Sequence, residues 1–188
     1  MDAYLIDLGN VLVGFDHRIF CHRLAAECRP WHEDDIHRLI FRSGLNKAFE
    51  TGRMDGEQFY REVRGLLNHS LPLDRFQEIW CDIFWELPGM GSMLGAIHQR
   101  ARLILVSNTN PWHIEYTRKQ YSILEHFDEF VLSFEIGAVK PDPKFYEAAL
   151  KTAGAPPERC LYLDDVEENV RIAARLGIPS AQFRFLPG

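Results

Sequence analysis

At 188 residues, with 46% hydrophobic and 26% charged side chains, the chain can bury a real core as one domain or as a domain carrying an insertion. A net charge of −6 with no basic block argues against nucleic acid or an anionic membrane as partner, and no apolar run approaches the ~18 residues of a membrane span. The four cysteines (Cys21, Cys28, Cys81 and Cys160) form no CxxC pair, and the first strand begins beside Met1 with no room for a signal peptide, so a reduced, cytoplasmic protein is expected.

The first apolar run, AYLIDL (residues 3–8), has the length and content of a buried strand. From about Phe15 to Pro88 the pattern changes. IFCHRLAAEC, DDIHRLIFRSGLNKAFE, DGEQFYREVRGLLN and LDRFQEIWCDIFWEL each carry apolar residues at three- and four-residue spacing, with Asp16, Asp55 and Asp74 as N-caps. This predicts an inserted helical-bundle cap over residues 15–88, leaving 1–14 and 89–188 as the core domain. In that core, RLILVSN (102–108), EFVLSF (129–134), CLYLDD (160–165) and SAQFRF (180–185) read as further buried strands. Between them, PDPKFYEAALKTAG opens on prolines and closes at Gly154. EENVRIAARLG closes at Gly177, with Val170, Ala173, Ala174 and Leu176 on an inner face. Strand alternating with helix predicts an α/β three-layer sandwich around a parallel, Rossmann-like sheet.

In such a sheet, ligands bind beyond the carboxyl ends of the strands, so the polar residues closing each strand carry the information. These are Asp7, Ser107–Asn108 and Asp164–Asp165, with Lys140 following the third core strand in GAVKPDP. Three carboxylates on one rim repel one another unless a hard cation lies among them, and Mg²⁺ accepts a few carboxylates and completes its shell with water and substrate oxygens. Ser107 and Lys140 add a donor and a positive charge suited to a phosphate. Cys21, Cys28, His32 and His37 match no standard zinc spacing.

These residues resemble the four motifs of the haloacid dehalogenase-like (HAD) superfamily. Asp7 in DLGNVL is similar to the first motif, Ser107 in VSNTN to the second, Lys140 in KPDP to the third, and Asp164–Asp165 with Asn169 (DDxxxN) to the fourth. Within the superfamily the chain looks most like the bacterial α-D-glucose-1-phosphatase group. The resemblance implies a phosphatase acting through an aspartyl phosphate on Asp7. It implies Mg²⁺ held by Asp7, the Gly9 carbonyl and Asp165, with Asp164 a ligand or one water away. Ser107, Asn10 and Asn108 are implied as phosphate-site residues, Lys140 as the partner of nucleophile and phosphate, and Asn169 as a support for the metal-binding carboxylates. A small phosphorylated substrate and a monomer are expected.

One position departs from the family pattern. Most of its phosphatases read DxD, and the second aspartate protonates the leaving oxygen; here that position is Gly9. General acid–base catalysis is worth ~10²–10⁴-fold, so a good leaving group, such as an anomeric sugar phosphate, or a substitute acid is required. The resemblance to the glucose-1-phosphatase-like group extends to this DLGN form. Alternatives are a haloacid dehalogenase, against which Asp164–Asp165 argue, and a phosphonoacetaldehyde hydrolase using Lys47 as a Schiff base. A receiver domain is a third, although its acidic residues come in the opposite order; a non-catalytic Mg²⁺ or sugar-phosphate binding module is the fourth. In the cap, Phe15, Asp16, Lys47, Glu50 and Arg53 are expected on a solvated helix surface, and Trp80, Phe84 and Trp85 in the cap core. His113, just after VSNTNPW, is a loose candidate for a substrate contact.

Overall fold

A computed structural model describes residues 1–185. Strand β1 (Ala3–Ile6) leads through a tight turn into β2 (Val13–Phe15). A helical stretch follows, with α1 (His17–Glu27), α2 (Glu33–His37), a π-helical turn over Arg38–Arg42, α3 (Leu45–Glu50), α4 (Gly56–Leu67) and α5 (Leu73–Cys81). Then come β3 (Phe84–Glu86), α6 (Met90–His98), β4 (Arg102–Ser107), α7 (Pro111–Gln120) and β5 (Glu129–Leu132). The chain continues through α8 (Ser133–Ile136), α9 (Pro143–Ala153), β6 (Cys160–Asp164), α10 (Glu167–Arg175) and β7 (Ser180–Gln182).

Five strands form one parallel sheet in the order β5-β4-β1-β6-β7. The period-2 geometry of a strand sends alternate residues to opposite faces, and both faces are covered. Ile6, Leu103 and Leu105 point to one side, where they join Met90 and Leu94 of α6 and Ile114 of α7. Ala3, Leu5, Ile104 and Val106 point to the other, against Phe145, Tyr146 and Ala149 of α9 and Ala173 of α10. This is the expected three-layer α/β sandwich, with the four apolar runs after the helical stretch forming β4 to β7. Because β1 pairs with β4 on one side and β6 on the other, the chain leaves β1 in two lateral directions, and a crevice opens at their carboxyl ends.

The helices between β2 and β3 bury their own core of Phe20, Leu24, Ile40, Phe49, Phe59, Phe76 and Trp80. Asp16 and Asp55 cap α1 and α4 as expected, and Asp55 forms a full capping box with Gln58. Asp74 does not cap α5. Pro72 holds that position, and Asp74 falls in the first turn, where it still favours the positive end of the helix. The run DDIHRLIFRSGLNKAFE is not one helix: it breaks at Gly44, whose φ of 89° suits glycine.

DIFWEL does not continue α5 either. Phe84–Glu86 is a strand that pairs antiparallel with Val13–Phe15, tying the two ends of the helical stretch together. Trp85 is 45% exposed and does not belong to the helical core, in contrast to Trp80; its ring lies so close over Gly14 that a Cβ there would sit 2.2 Å from it. On α10, Ala173 is buried and Val170 and Leu176 are half-buried, but Ala174 faces solvent. All four cysteines are buried free thiols. Among the described residues no helix is long and apolar enough to cross a membrane.

Candidate active site

The rim residues meet where the sheet ends. The Asp7 N–H donates to Leu163 O at 2.9 Å, extending the β1–β6 ladder one residue past β1 and pointing the carboxylate into the crevice. Lys140 lies in the loop between α8 and α9, fixed by a two-way clasp. Its backbone N–H donates to Asn108 Oδ1 at 2.7 Å, and its carbonyl accepts from Asn108 Nδ2 at 3.0 Å. From there its Nζ donates to Asp7 Oδ1 at 2.7 Å, Asp164 Oδ2 at 2.8 Å and Val106 O at 3.0 Å. Desolvating an ammonium costs several kcal/mol unless each N–H is met, and here all three are.

Asp7, Asp164 and Asp165 can each offer an oxygen such that these atoms lie within 4.8 Å of one another, and among the described residues no other acidic, histidine or cysteine cluster does so. The cysteines and histidines weighed for zinc are not gathered. The three carboxylates are not equivalent. Asp164 is fully buried, and its oxygens accept from Lys140, Tyr162, Asn169 (3.1 Å to each oxygen) and the Val166 backbone N–H at 2.8 Å. Asp165 accepts from Asn10 Nδ2 at 3.1 Å. Asn10 adopts a positive φ of 54°, a conformation asparagine tolerates, to make this bond.

Electrostatics separate them further. Burial raises the Asp7 pKa to about 7 against the pull of Lys140, with Asp164 and Asp165 adding to the rise. Burial acts in the same direction on Asp164, but Lys140 and the hydrogen bonds outweigh it and hold that carboxyl below its ordinary value. Asp165 is raised by burial, with Asn10 opposing. Lys140 is pushed down by burial but held above its ordinary value by Asp7 and Asp164. One ammonium among three carboxylates leaves an excess negative charge. The available oxygens of Asp7 and Asp165 are hard donors of the kind Mg²⁺ takes, so the donor set fits that ion.

A cleft of about 410 Å³ opens over the rim, lined by Asp7, Gly9, Asn10, Ser107, Asn108, Lys140, Asp165 and Asn169. On its opposite wall stand Phe15, His17, Phe41, Asn46 and Glu50, from β2, α1, the π-helical turn and α3. A smaller recess of about 50 Å³ continues inward past Gly9, Glu50, Ser107 and His113. The structure thus brings every expected rim residue to one place, with Asp164 gathered beside Asp7 and Asp165 but not itself lining the cleft. The Asn108 side chain is spent on Lys140, so its backbone rather than its amide faces a ligand.

Of the cap residues singled out from sequence, Phe15 and Glu50 line the cleft, contrary to the expected solvated surface. Asp16 caps α1, and Lys47 and Arg53 are exposed and line neither the cleft nor the recess. His113 lines the recess, yet both ring nitrogens are committed, to Asn110 and to the Trp80 carbonyl at 3.0 Å each. Burial pushes its pKa down to about 3, so it is a neutral structural group. Sequence reasoning missed His17 and Asn46. Asn46 shares a helix face with Phe49 and Glu50, and a polar residue on an inward face was the available signal.

A family model described as haloacid dehalogenase-like hydrolase matches residues 1–177. D-ribitol-5-phosphate phosphatase of Bacteroides thetaiotaomicron is 24% identical over 95% of this chain and 89% of its own length. A pyrimidine 5'-nucleotidase of Escherichia coli is 30% identical over 51% of this chain and 43% of its own. A HAD family enzyme from B. thetaiotaomicron, crystallised in complex with magnesium and inorganic phosphate, superposes with a TM-score of 0.87 over 98% of this chain and 94% of its own, at 22% identity. Fold, rim and family model agree: the chain belongs to the haloacid dehalogenase-like hydrolase family.

Proposed function

We propose that the protein is a Mg²⁺-dependent phosphatase that hydrolyses a small phosphorylated sugar or polyol through an aspartyl phosphate on Asp7. One observation carries this reading: the buried Lys140 ammonium joins Asp7 to Asp164 on the floor of a cleft that Asp165 and Ser107 also face. In this assignment residues 15–88 are the cap and residues 1–14 and 89–188 the core domain, and the β2–β3 ribbon at that junction supports the division. A cleft of about 410 Å³ suits a phosphorylated metabolite of sugar size.

Each residue then has a task. The Asp7 oxygen not engaged by Lys140 attacks phosphorus, and Lys140 offsets the charge that builds up in the transition state. Ser107 and the Asn108 backbone donate to the phosphoryl oxygens. Asp7, Asp165 and the Gly9 carbonyl would hold Mg²⁺, which when bound neutralises the phosphoryl oxygens. Asp164, with its oxygens already engaged, anchors Lys140, and Asn169 anchors Asp164. Asn10 orients Asp165.

The substrate class is supported from two sides. A relative acting on D-ribitol 5-phosphate spans nearly the whole chain. The cleft wall opposite the rim mixes aromatic rings with an amide and a carboxyl, as hydroxyl-bearing ligands require. The direct test is p-nitrophenyl phosphate hydrolysis with Mg²⁺, followed by a panel of hexose 1-phosphates, hexose 6-phosphates, pentitol phosphates, nucleotides and acyl phosphates. Activity abolished by EDTA and by Asp7→Asn, with a sugar or polyol phosphate preferred, is the expected result. Activity indifferent to both, or a nucleotide as the best substrate, overturns the reading.

A further inference from the structure

A phosphatase of this kind must protonate the oxygen that leaves phosphorus, and Gly9 has nothing to do it with. The loop after β1 does not leave space for a side chain there: a Cβ on Gly9 would lie 2.5 Å from Phe15 Cε1 and 3.0 Å from Cδ1. The Phe15 ring stands where that side chain would begin, so the proton has to come from another wall. The cleft and the recess behind it share six lining residues: Gly9, Phe15, His17, Glu50, Ser107 and Asn108. Of these, His17 and Glu50 are the two that can give and take a proton near neutrality.

They differ in what they carry. His17 stacks on Phe41 with ring centroids 4.3 Å apart, and burial together with neighbouring His37 pushes its pKa down to about 4. It therefore arrives neutral, with no acidic proton to give. Burial moves the Glu50 carboxyl the other way, raising its pKa, with only the Asn46 amide pulling against it. A carboxyl that holds its proton longer than usual is the form a general acid needs. The end of α3 is also held firmly to the core: a Cβ on Gly52, just past it, would lie 2.3 Å from the Phe134 carbonyl oxygen. Asn46, one turn before Glu50, is buried with an Oδ1 that has no hydrogen-bond partner, an acceptor awaiting a donor from a ligand.

We propose that Glu50 is the general acid and base of the reaction, replacing from α3 the side chain absent at Gly9. The proposal rests on the phosphatase reading above. In the first step an Asp7 oxygen bonds to phosphorus as the ester P–O bond breaks. The electron pair goes to the leaving oxygen, and the Glu50 carboxyl gives it the proton, releasing an alcohol. In the second, water attacks the phosphorus of the aspartyl phosphate, Glu50 takes the water's proton, and inorganic phosphate and the Asp7 carboxylate are regenerated. Asn46 Oδ1 accepts from a hydroxyl of the same alcohol, which sets its oxygen against Glu50.

The test compares two esters of unequal leaving group. p-Nitrophenolate departs without a proton, whereas the alkoxide of D-ribitol 5-phosphate does not. With Mg²⁺ present, Glu50→Gln should lower kcat/KM, which reports formation of the aspartyl phosphate, on D-ribitol 5-phosphate by ~10²–10³-fold while changing kcat/KM on p-nitrophenyl phosphate by less than about fivefold. The kcat on both esters should fall, because the hydrolysis of the aspartyl phosphate that Glu50 assists is common to them. Retained activity on the aryl ester also reports that the variant folds. Glu50→Asp, which keeps the carboxyl but shortens its reach, should give a kcat/KM between wild type and Glu50→Gln on the polyol ester only. Equal losses of kcat/KM on both esters, or no loss on either, overturn the role of Glu50 and leave the phosphatase reading intact. A wild type without Mg²⁺-dependent, Asp7-dependent hydrolysis of p-nitrophenyl phosphate overturns both.

Discussion

The two walls of the cleft are built on opposite terms. On the sheet side nearly every polar atom is spoken for: Lys140 meets three acceptors, Asp164 is surrounded by donors, Asn108 clasps Lys140 and Asn10 holds Asp165. On the helical side the polar groups are left open. Asn46 Oδ1 has no partner, Glu50 is a carboxyl pushed toward its neutral form, and His17 is stacked among rings with its charge suppressed. A saturated network fixes geometry and admits one chemistry, whereas open groups cost stability until a ligand meets them. The sheet side is therefore suited to activating the phosphoryl group, and the helical side to selecting and protonating what is attached to it.

Substitutions on the two walls should accordingly fail in different ways. The largest expected effect is from Asp7→Asn, which should cost at least ~10³-fold in kcat by removing the nucleophile. Its melting temperature should stay near wild type, because the ionised Asp7 is already disfavoured by burial and Lys140 keeps Asp164. Lys140→Met shares the site but not the outcome. It strands two buried carboxylates, so a loss of about 3–5 kcal/mol in urea unfolding should accompany a ~10²–10³-fold fall in kcat. Were Lys140→Met as stable as Asp7→Asn, the sheet-side network would not be the saturated structure described here.

On the other wall, Asn46→Leu should leave p-nitrophenyl phosphate hydrolysis unchanged and raise KM for a polyol phosphate about tenfold, a loss of roughly 1–1.5 kcal/mol. It should change stability little, since loss of the unpaired buried acceptor offsets loss of the amide's contact with Glu50. A fall in stability with no change in KM would make Asn46 a structural residue.

The smallest effect is in the response to pH. The folded Asp7 pKa, about 7, lies above the ordinary carboxylate value, so its protonated form favours folding. In the absence of a divalent cation that contribution is full below about pH 4 and is lost as pH rises through 7. Mg²⁺ competes with the same proton, so the melting-temperature rise on adding Mg²⁺ should be larger at pH 8 than at pH 5.5. An equal rise at both would separate Asp7 from the cation.

The sheet side was also the legible side. Asp7, Ser107, Lys140 and Asp164–Asp165 follow apolar runs of strand length, and the rule that ligands sit at strand carboxyl ends brings them together without any knowledge of packing. What that rule does not reveal is how each carboxylate is spent: Asp164 reads like Asp165 in DDxxxN, and only the structure shows that Asp164 is surrounded by donors while Asp165 meets one. On the helical side, periodicity finds the helices but not the side turned to the sheet, so Glu50 reads as a solvated residue and Asn46 and His17 pass unnoticed. The β2–β3 ribbon was hidden for a different reason. Its two halves are three residues each and about 70 positions apart, and Phe84–Glu86 continues the helical spacing of α5 without a glycine or proline to interrupt it.

Everything on both walls presupposes that phosphate passes through Asp7. Rapid acid quenching during turnover of p-nitrophenyl phosphate with Mg²⁺, followed by proteolysis and mass spectrometry, measures this directly. An acyl phosphate on the peptide carrying Asp7, labile to hydroxylamine and missing from Asp7→Asn, is the predicted result. Phosphate on any other residue, or turnover by Asp7→Asn at the wild-type rate, would contradict it.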